Sequence, residues 1–419
     1  MKKLKFKYII HCVLWSELLM LITNCNNELK DTKSIADAQI YNPAAITPTR
    51  ESITFILGED KEDDNPYYKE AIKYYLYNEV DKTDYVVTDC RSLSELLNYL
   101  KNNLPANRLP WGIINLVSHG NQWTGLSVAV APKSGRATPE RIREYTENGT
   151  LKELADNIID EQTIIYIHGC GTGNNHQLIE NIAVAMGGKG AVPVVKASRL
   201  FEFYASMSDQ GMVTATQRYN AKAWFQFYRM GYLPGKEIIE KDFRSKYPQS
   251  KIDWNYALSK TQPAYIGDTY HYTFEVPLKW IIRSHESDSL SDLSDSESCL
   301  VWIKKQKEIT ESLSKLEIPV EKFNWWLRKV YVKNSDGTKS KALWIKGYCT
   351  LVCVLQPLVD ESSDGGLLPK PLNAGQKDDD SFYIYRNNYL HSDSKHSRYD
   401  NFLPVQENTD YLFWNNQNF

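Results

Sequence analysis

Between Ser52 and Ala197, short apolar runs alternate with amphipathic segments. Ser52 to Leu57, Asp84 to Thr88, Trp111 to Ser118, Thr163 to Ile167 and Ala191 to Ala197 are rich in β-branched residues and bounded by polar or glycine breaks, which predicts strands. Helical patterning fills the intervals. Asn65 to Tyr77 opens on Asn-Pro, and Ser92 to Asn102 carries Leu93, Leu96, Leu97 and Leu100 at helical spacing. Arg136 to Ile159 is helical but broken near Asn148-Gly149, and a further helix runs from about Asn174 to Met186. This βαβα order predicts an α/β fold: a doubly wound, mostly parallel sheet with helices on both faces.

The pattern changes beyond it. Residues 212–265 are aromatic-rich and read as largely helical, with Ala221 to Tyr232 the clearest segment, whereas Tyr270 to Ile282 reads as β. Ser287 to Ser298 is an acidic, serine-rich stretch of the kind found in exposed linkers. Asn324 to Val332 and Lys341 to Val354 flank Asn334-Ser-Asp-Gly337, a hairpin signal, and Ser381 to Arg386 adds a strand. The expected organisation is a main domain over 51–283, a linker over 284–299 and a smaller β-rich accessory domain over 300–419.

The N-terminus has a leader's pattern. Met1 to Lys7 is basic, and Tyr8 to Ile22 is mostly apolar, interrupted by Glu17. Leu21-Ile-Thr-Asn-Cys25 resembles the lipobox of bacterial lipoproteins, with Asn24 bulkier than the usual small residue. That resemblance implies cleavage and lipidation at Cys25, export to the bacterial cell envelope, and a membrane tether over 26–50. Loss of Cys12 with the leader and lipidation of Cys25 leave Cys90, Cys170, Cys299, Cys349 and Cys353, an odd set that does not read as a disulfide scaffold. Cys349 and Cys353 read as buried small hydrophobes, and Cys170 as a free reactive thiol. Charged residues make up 24% and hydrophobic ones 42%, ordinary for a globular chain, and a net charge of -3 without a basic block gives no reason to expect nucleic acid as a partner. The 27 tyrosines and 11 tryptophans can furnish large cores or peptide-facing surfaces.

Candidate chemistry collects where two apolar strands end. One ends in His119-Gly120, the other in His168-Gly-Cys170-Gly171-Thr-Gly173. In parallel sheets, reactive groups gather beyond the carboxyl ends of the strands. A cysteine nucleophile needs a thiolate, a proton donor for the leaving group, and N–H donors for the oxyanion. Cys170 precedes a helix whose dipole is expected to favour the thiolate. His119 is the candidate general acid, and the N–H groups of Gly120 and Cys170 are the candidate oxyanion hole.

An apolar block ending in His-Gly, followed about 50 residues later by one ending in x-x-Cys-Gly, is similar to the clan CD cysteine peptidases, which include caspases, gingipains, clostripain and legumain. The resemblance covers roughly residues 50–235. It implies a caspase-like fold for the main domain, a Cys170–His119 dyad, endopeptidase activity on a peptide or protein substrate, and no cofactor. Two departures stand out. His168-Gly169 replaces the caspase Gln-Ala before the cysteine, and Thr172 stands where a glycine is usual. Several of these families use the residue two before the cysteine in the S1 pocket. His168, Ser198 and Arg199 are therefore the expected substrate-binding residues, admitting an acidic or polar P1 side chain.

Three other readings compete. Gly169-x-Gly-x-Gly173 could cradle a phosphate, but it lacks the Walker lysine and the full dinucleotide spacing. His168, Cys170 and His176, with His119 nearby, could bind zinc, but strand and helix geometry separates them, so no metal is expected. The chain could also be a catalytically inactive caspase-like surface lipoprotein that binds a peptide or protein partner.

Overall fold

The β-branched runs form strands buried on both faces, and the segments between them return as helices. In chain order the elements are β1 (Ser52–Ile56), α1 (Tyr67–Tyr77), β2 (Tyr85–Val87), α2 (Leu93–Asn102), β3 (Ile113–Val117), β4 (Gly120–Asn121), β5 (Gly125–Ala129), β6 (Arg136–Ala137), α3 (Pro139–Glu147), β7 (Ile164–His168), α4 (His176–Met186) and β8 (Val194–Ser198). There follow β9 (Phe201–Asp209), β10 (Met212–Arg229), α5 (Lys236–Lys246), α6 (Trp254–Ala257), β11 (Tyr270–Arg283), α7 (Ser296–Lys304), β12 (Asn324–Lys333), β13 (Lys339–Pro357), β14 (Val359–Glu361), β15 (Leu367–Pro369) and β16 (Phe382–Tyr385). The structure, a computed structural model, describes residues 49–361 except 62–65, 189–190, 210–211, 264–266, 284–294, 307–309, 312, 315–316 and 334–338, together with 367–369 and 382–385. The expected leader, Cys25, nearly all of the tether, most of the serine-rich stretch and the Asn334–Gly337 turn lie outside the described residues.

The main sheet has the order β16-β8-β7-β3-β1-β2, parallel from β2 through β8 with β16 antiparallel at the edge. The expected α/β fold with a mostly parallel sheet is present. Side chains alternate between its faces as the pleat requires. Ile53, Phe55, Leu116, Ile165 and Ile167 pack with the apolar residues of α2, α3 and α4, including Leu96, Leu100, Ile142 and Ile182. Each such side chain contributes about 1.5–3 kcal/mol by leaving water. On the opposite face, Ile56 and Val117 pack against Tyr67, Tyr68, Tyr74 and Tyr75 of α1 and against Tyr204 of β9.

A second, antiparallel sheet has the order β11-β13-β10-β9, with β12 also paired to β13. It corrects the expectation of helix over 212–265. Ala221 to Arg229 belongs to the 18-residue strand β10, and among the described residues helix is confined there to α5 and α6. One face of β10 packs Ala221 and Phe227 into a core with α7, while Tyr228 on the other face packs with Phe243 and Trp254. With both faces apolar, the two-residue period is erased, and an aromatic run without glycine or proline no longer distinguishes strand from helix.

Residues expected to form a separate accessory domain share this sheet with residues before the linker, because β13 pairs with both β10 and β11. The strand at 382–385 instead joins the main sheet beside β8. The end of the acidic stretch is also structured. Asp295 accepts from the N–H groups of Glu297 and Ser298 at 3.0 Å and so caps α7.

Candidate active site

β3 and β7 are neighbours in register, with Val117 opposite His168, and the Ser118 N–H donates to His168 O at 3.1 Å where the two strands end. His119 and Cys170 therefore leave adjacent strands at the same level, each two residues past that pair. Their loops meet. A Cβ on Gly120 would stand 3.1 Å from the Thr172 methyl and from Gly125 O, so the chain behind His119 passes too close to the cysteine loop for a side chain. Gly171 adopts φ 65°, which turns the chain sharply after Cys170 and lets its N–H donate to Leu200 O at 2.9 Å.

His119 is half-buried and held on three sides. Its N–H donates to Tyr68 Oη at 3.0 Å, and its carbonyl accepts from the Ser127 N–H at 2.7 Å. The imidazole stacks on the Tyr67 ring, with centroids 4.4 Å apart, and meets the edge of Tyr68 at 4.8 Å. Burial pushes its pKa down; Asp60 pulls it up, and Arg136 opposes the cation. Asp60 is fixed at the start of α1, accepting from the N–H groups of Tyr68 at 3.0 Å and Lys69 at 2.9 Å. The resting imidazole is neutral at pH 7.

Cys170 is half-buried, and its Sγ lies 3.5 Å from Glu202 O, to which the thiol donates. Burial pushes the thiol up to about 12. The helix dipole expected to lower it does not act there. A 3-10 turn over Thr172–Asn174 intervenes, and α4 begins only at His176, capped by Asn175, whose Oδ1 accepts from the Leu178 N–H at 3.0 Å. Dipole effects fade within the first helical turn. The resting state combines a neutral thiol with a neutral imidazole.

The expected substrate-binding residues divide. His168 does not line a pocket: it is 1% exposed, with Nε2 3.1 Å from Asn115 Oδ1, and Nδ1 3.0 Å from both Glu202 Oε2 and Arg218 Nη1. Burial lowers its pKa, while the Glu202 carboxylate opposes that shift. Nε2 faces the Asn115 side-chain oxygen, and Nδ1 lies between the Glu202 carboxylate and the Arg218 guanidinium. Asn115 in turn donates to Thr54 Oγ1 at 3.0 Å, which extends this polar ladder across the sheet. Burial would raise Glu202, but His168 and Arg218 hold its carboxyl below the usual range. Ser198 is buried and turned onto its own loop, donating to Leu200 O and accepting from the Leu200 N–H, both at 3.1 Å. Arg199 alone of the three is exposed, and its carbonyl accepts from Asn174 Nδ2 at 3.0 Å.

No family model, curated protein or solved structure matches this chain. The site is defined by its own geometry. Among the described residues, no group of three or more His, Cys, Asp or Glu is arranged to hold a metal, and both ring nitrogens of His168 are already engaged.

Sequence reasoning missed Tyr67, Tyr68, Asp60, Glu202 and Arg218. Tyr67 is the most telling of these. Its ring stacks on His119 and its hydroxyl donates to His168 O at 3.1 Å. Burial pushes that hydroxyl far up, and negative charge on Cys170 would push it further. The only local signal was the aromatic pair after Pro66.

Proposed function

We propose that this chain is a caspase-like cysteine endopeptidase whose resting site becomes reactive when a peptide occupies it. The observation that carries the reading is the placement of His119 and Cys170 beyond the carboxyl ends of registered neighbouring strands, with their loops in contact at Gly120 and Thr172. Open α/β sheets put their chemistry in that position.

In the proposed reaction, His119 takes the thiol proton as Sγ forms a bond to the substrate carbonyl carbon. The N–H groups of Gly120 and Cys170 hold the resulting oxyanion. Collapse breaks the C–N bond, and His119 passes its proton to the leaving amine, leaving a thioester. Water then attacks the thioester with His119 as base, which releases the acid and restores the thiol. A lipid on Cys25 would anchor the enzyme in the bacterial envelope, within reach of exported peptides and proteins.

The test compares wild-type, Cys170→Ala and His119→Ala proteins on a mixture of unfolded proteins, with new N-termini identified by mass spectrometry. Wild type is expected to generate new termini, Cys170→Ala none, and His119→Ala fewer by about 10²–10⁴-fold. Equal cleavage by wild type and Cys170→Ala would overturn the reading. One observation favours a second reading, a non-cutting surface protein that binds a peptide: the thiol is directed onto Glu202 O and pushed up to about 12. A wild type that binds peptides tightly yet produces no new termini would establish it.

A further inference from the structure

The residues facing Cys170 across the site come from the antiparallel sheet, and they are aromatic. Register brings them together. Phe201 lies opposite Ala221, Phe225 opposite Cys353, Tyr272 opposite Cys353 from the other side, and Tyr270 opposite Leu355. At one end of this face, Phe227, Val276, Cys349 and Leu351 are sealed beneath Cys299, Leu300 and Ile303 of α7. At the end nearest the cysteine, the side chains are covered differently. Phe203, Phe225, Tyr270, Tyr272 and Phe274 are only half-buried, and they pack in the same cluster as Cys170.

Proximity to the nucleophile is direct. A Cβ on Gly171 would stand 3.2 Å from Phe201 Cε2, and the thiol contacts the backbone of Glu202. Burial pushes the Tyr270 and Tyr272 hydroxyls up, and nearness to Cys170 adds to both. Trp123 packs on the same face, with its ring 4.6 Å from Phe225 and 6.1 Å from Phe274. Two charged groups near the thiol face elsewhere. Glu202 offers Cys170 only its carbonyl, while its carboxylate is held by His168, and Arg218 is turned to the same histidine.

We propose that the half-exposed aromatic face of Phe203, Phe225, Tyr270 and Tyr272, backed by the buried Phe201, receives an aromatic side chain on the substrate residue whose carbonyl Cys170 attacks. This rests on the cysteine-peptidase reading and replaces the acidic or polar P1 preference expected from His168 and Arg199. An apolar side chain gains from leaving water against aromatic rings, whereas a carboxylate or ammonium would be stripped of solvent among them.

The test uses the full chain and four peptidyl acyloxymethyl ketones that are identical except for Phe, Ala, Asp or Lys at P1. The cysteine sulfur displaces the acyloxy group to form a thioether, and the thiol proton leaves with the released carboxylate as its acid. Intact mass gives the labelling rate, and peptide mapping confirms Cys170 as the site. The Phe probe is expected to label at least about tenfold faster than the Ala probe, with Asp and Lys slower still. Phe225→Leu and Tyr272→Ala, each checked for an unchanged fold by circular dichroism, are expected to narrow the Phe-to-Ala ratio. Labelling at Cys170 that is fastest with Asp or Lys, or equal for all four, overturns the aromatic preference while the peptidase reading stands. No labelling of Cys170 by any probe overturns both.

Discussion

Removing His119 tests the resting state of the site. If thiol and imidazole formed an ion pair, His119→Ala would strip the thiolate of its partner and slow alkylation of Cys170 sharply. The structure places the thiol on Glu202 O and pushes it up to about 12, so the sulfur does not depend on the imidazole before substrate arrives. At pH 7.5 such a thiol is ionised in roughly one molecule in 30,000, against about one in ten for an ordinary cysteine. The more basic thiolate is the stronger nucleophile, which recovers about 40-fold of that roughly 3,000-fold deficit. The net expectation is alkylation by iodoacetamide about 100-fold slower than for an unfolded cysteine, still rising at pH 10, with His119→Ala within about threefold of wild type. Peptide mapping after timed quenching separates Cys170 from the buried Cys90, Cys299, Cys349 and Cys353. Wild-type labelling at the rate of a free thiol at pH 7.5, slowed tenfold or more by His119→Ala, would refute the neutral resting pair.

Two further outcomes concern stability. Burial in the first turn of α3 pushes the Glu140 carboxyl up to about 7, so its folded-state pKa lies above the unfolded value. Its contribution is intact in acid below about 4.5 and is lost as pH rises through 7, by up to about 3 kcal/mol. Glu140→Gln is expected to flatten that loss in urea unfolding at pH 5 and pH 8, and an equal difference from wild type at both pH values would contradict it. Gly171→Ala forces an L side chain to φ 65° and against Phe201, which costs about 1–3 kcal/mol; a change under about 0.5 kcal/mol would remove the strain argument.

Much of the main sheet is legible in the chain because its strands are short, apolar and separated by amphipathic helices with recognisable starts. Ser92 caps α2 and accepts from the Glu95 N–H, and Pro139 opens α3 behind Thr138, both local signals. The strand-end positions of His119 and Cys170 follow from the same runs. The surroundings of the site do not, because they are assembled from distant residues. His168 reads as a rim residue until Glu202 and Arg218 arrive from β9 and β10 and enclose it. The cysteine's environment departs from the sequence pattern because a Gly-rich turn looks in sequence like the start of a helix, whereas the 3-10 turn delays α4 to His176. The aromatic face opposite Cys170 was hidden because β10, covered on both sides, carries no two-residue period.

The pairing of β16 with β8 has a consequence for how the molecule is made. Phe382 lies opposite Ser198, so the edge of the main sheet is closed by chain synthesised long after the strand it covers. At about 5–20 residues per second, roughly 180 residues take on the order of 10–40 s to emerge from the ribosome. For that interval β8 presents unpaired backbone groups that could template pairing with another chain. Closure of this edge is therefore a late, non-local event in folding.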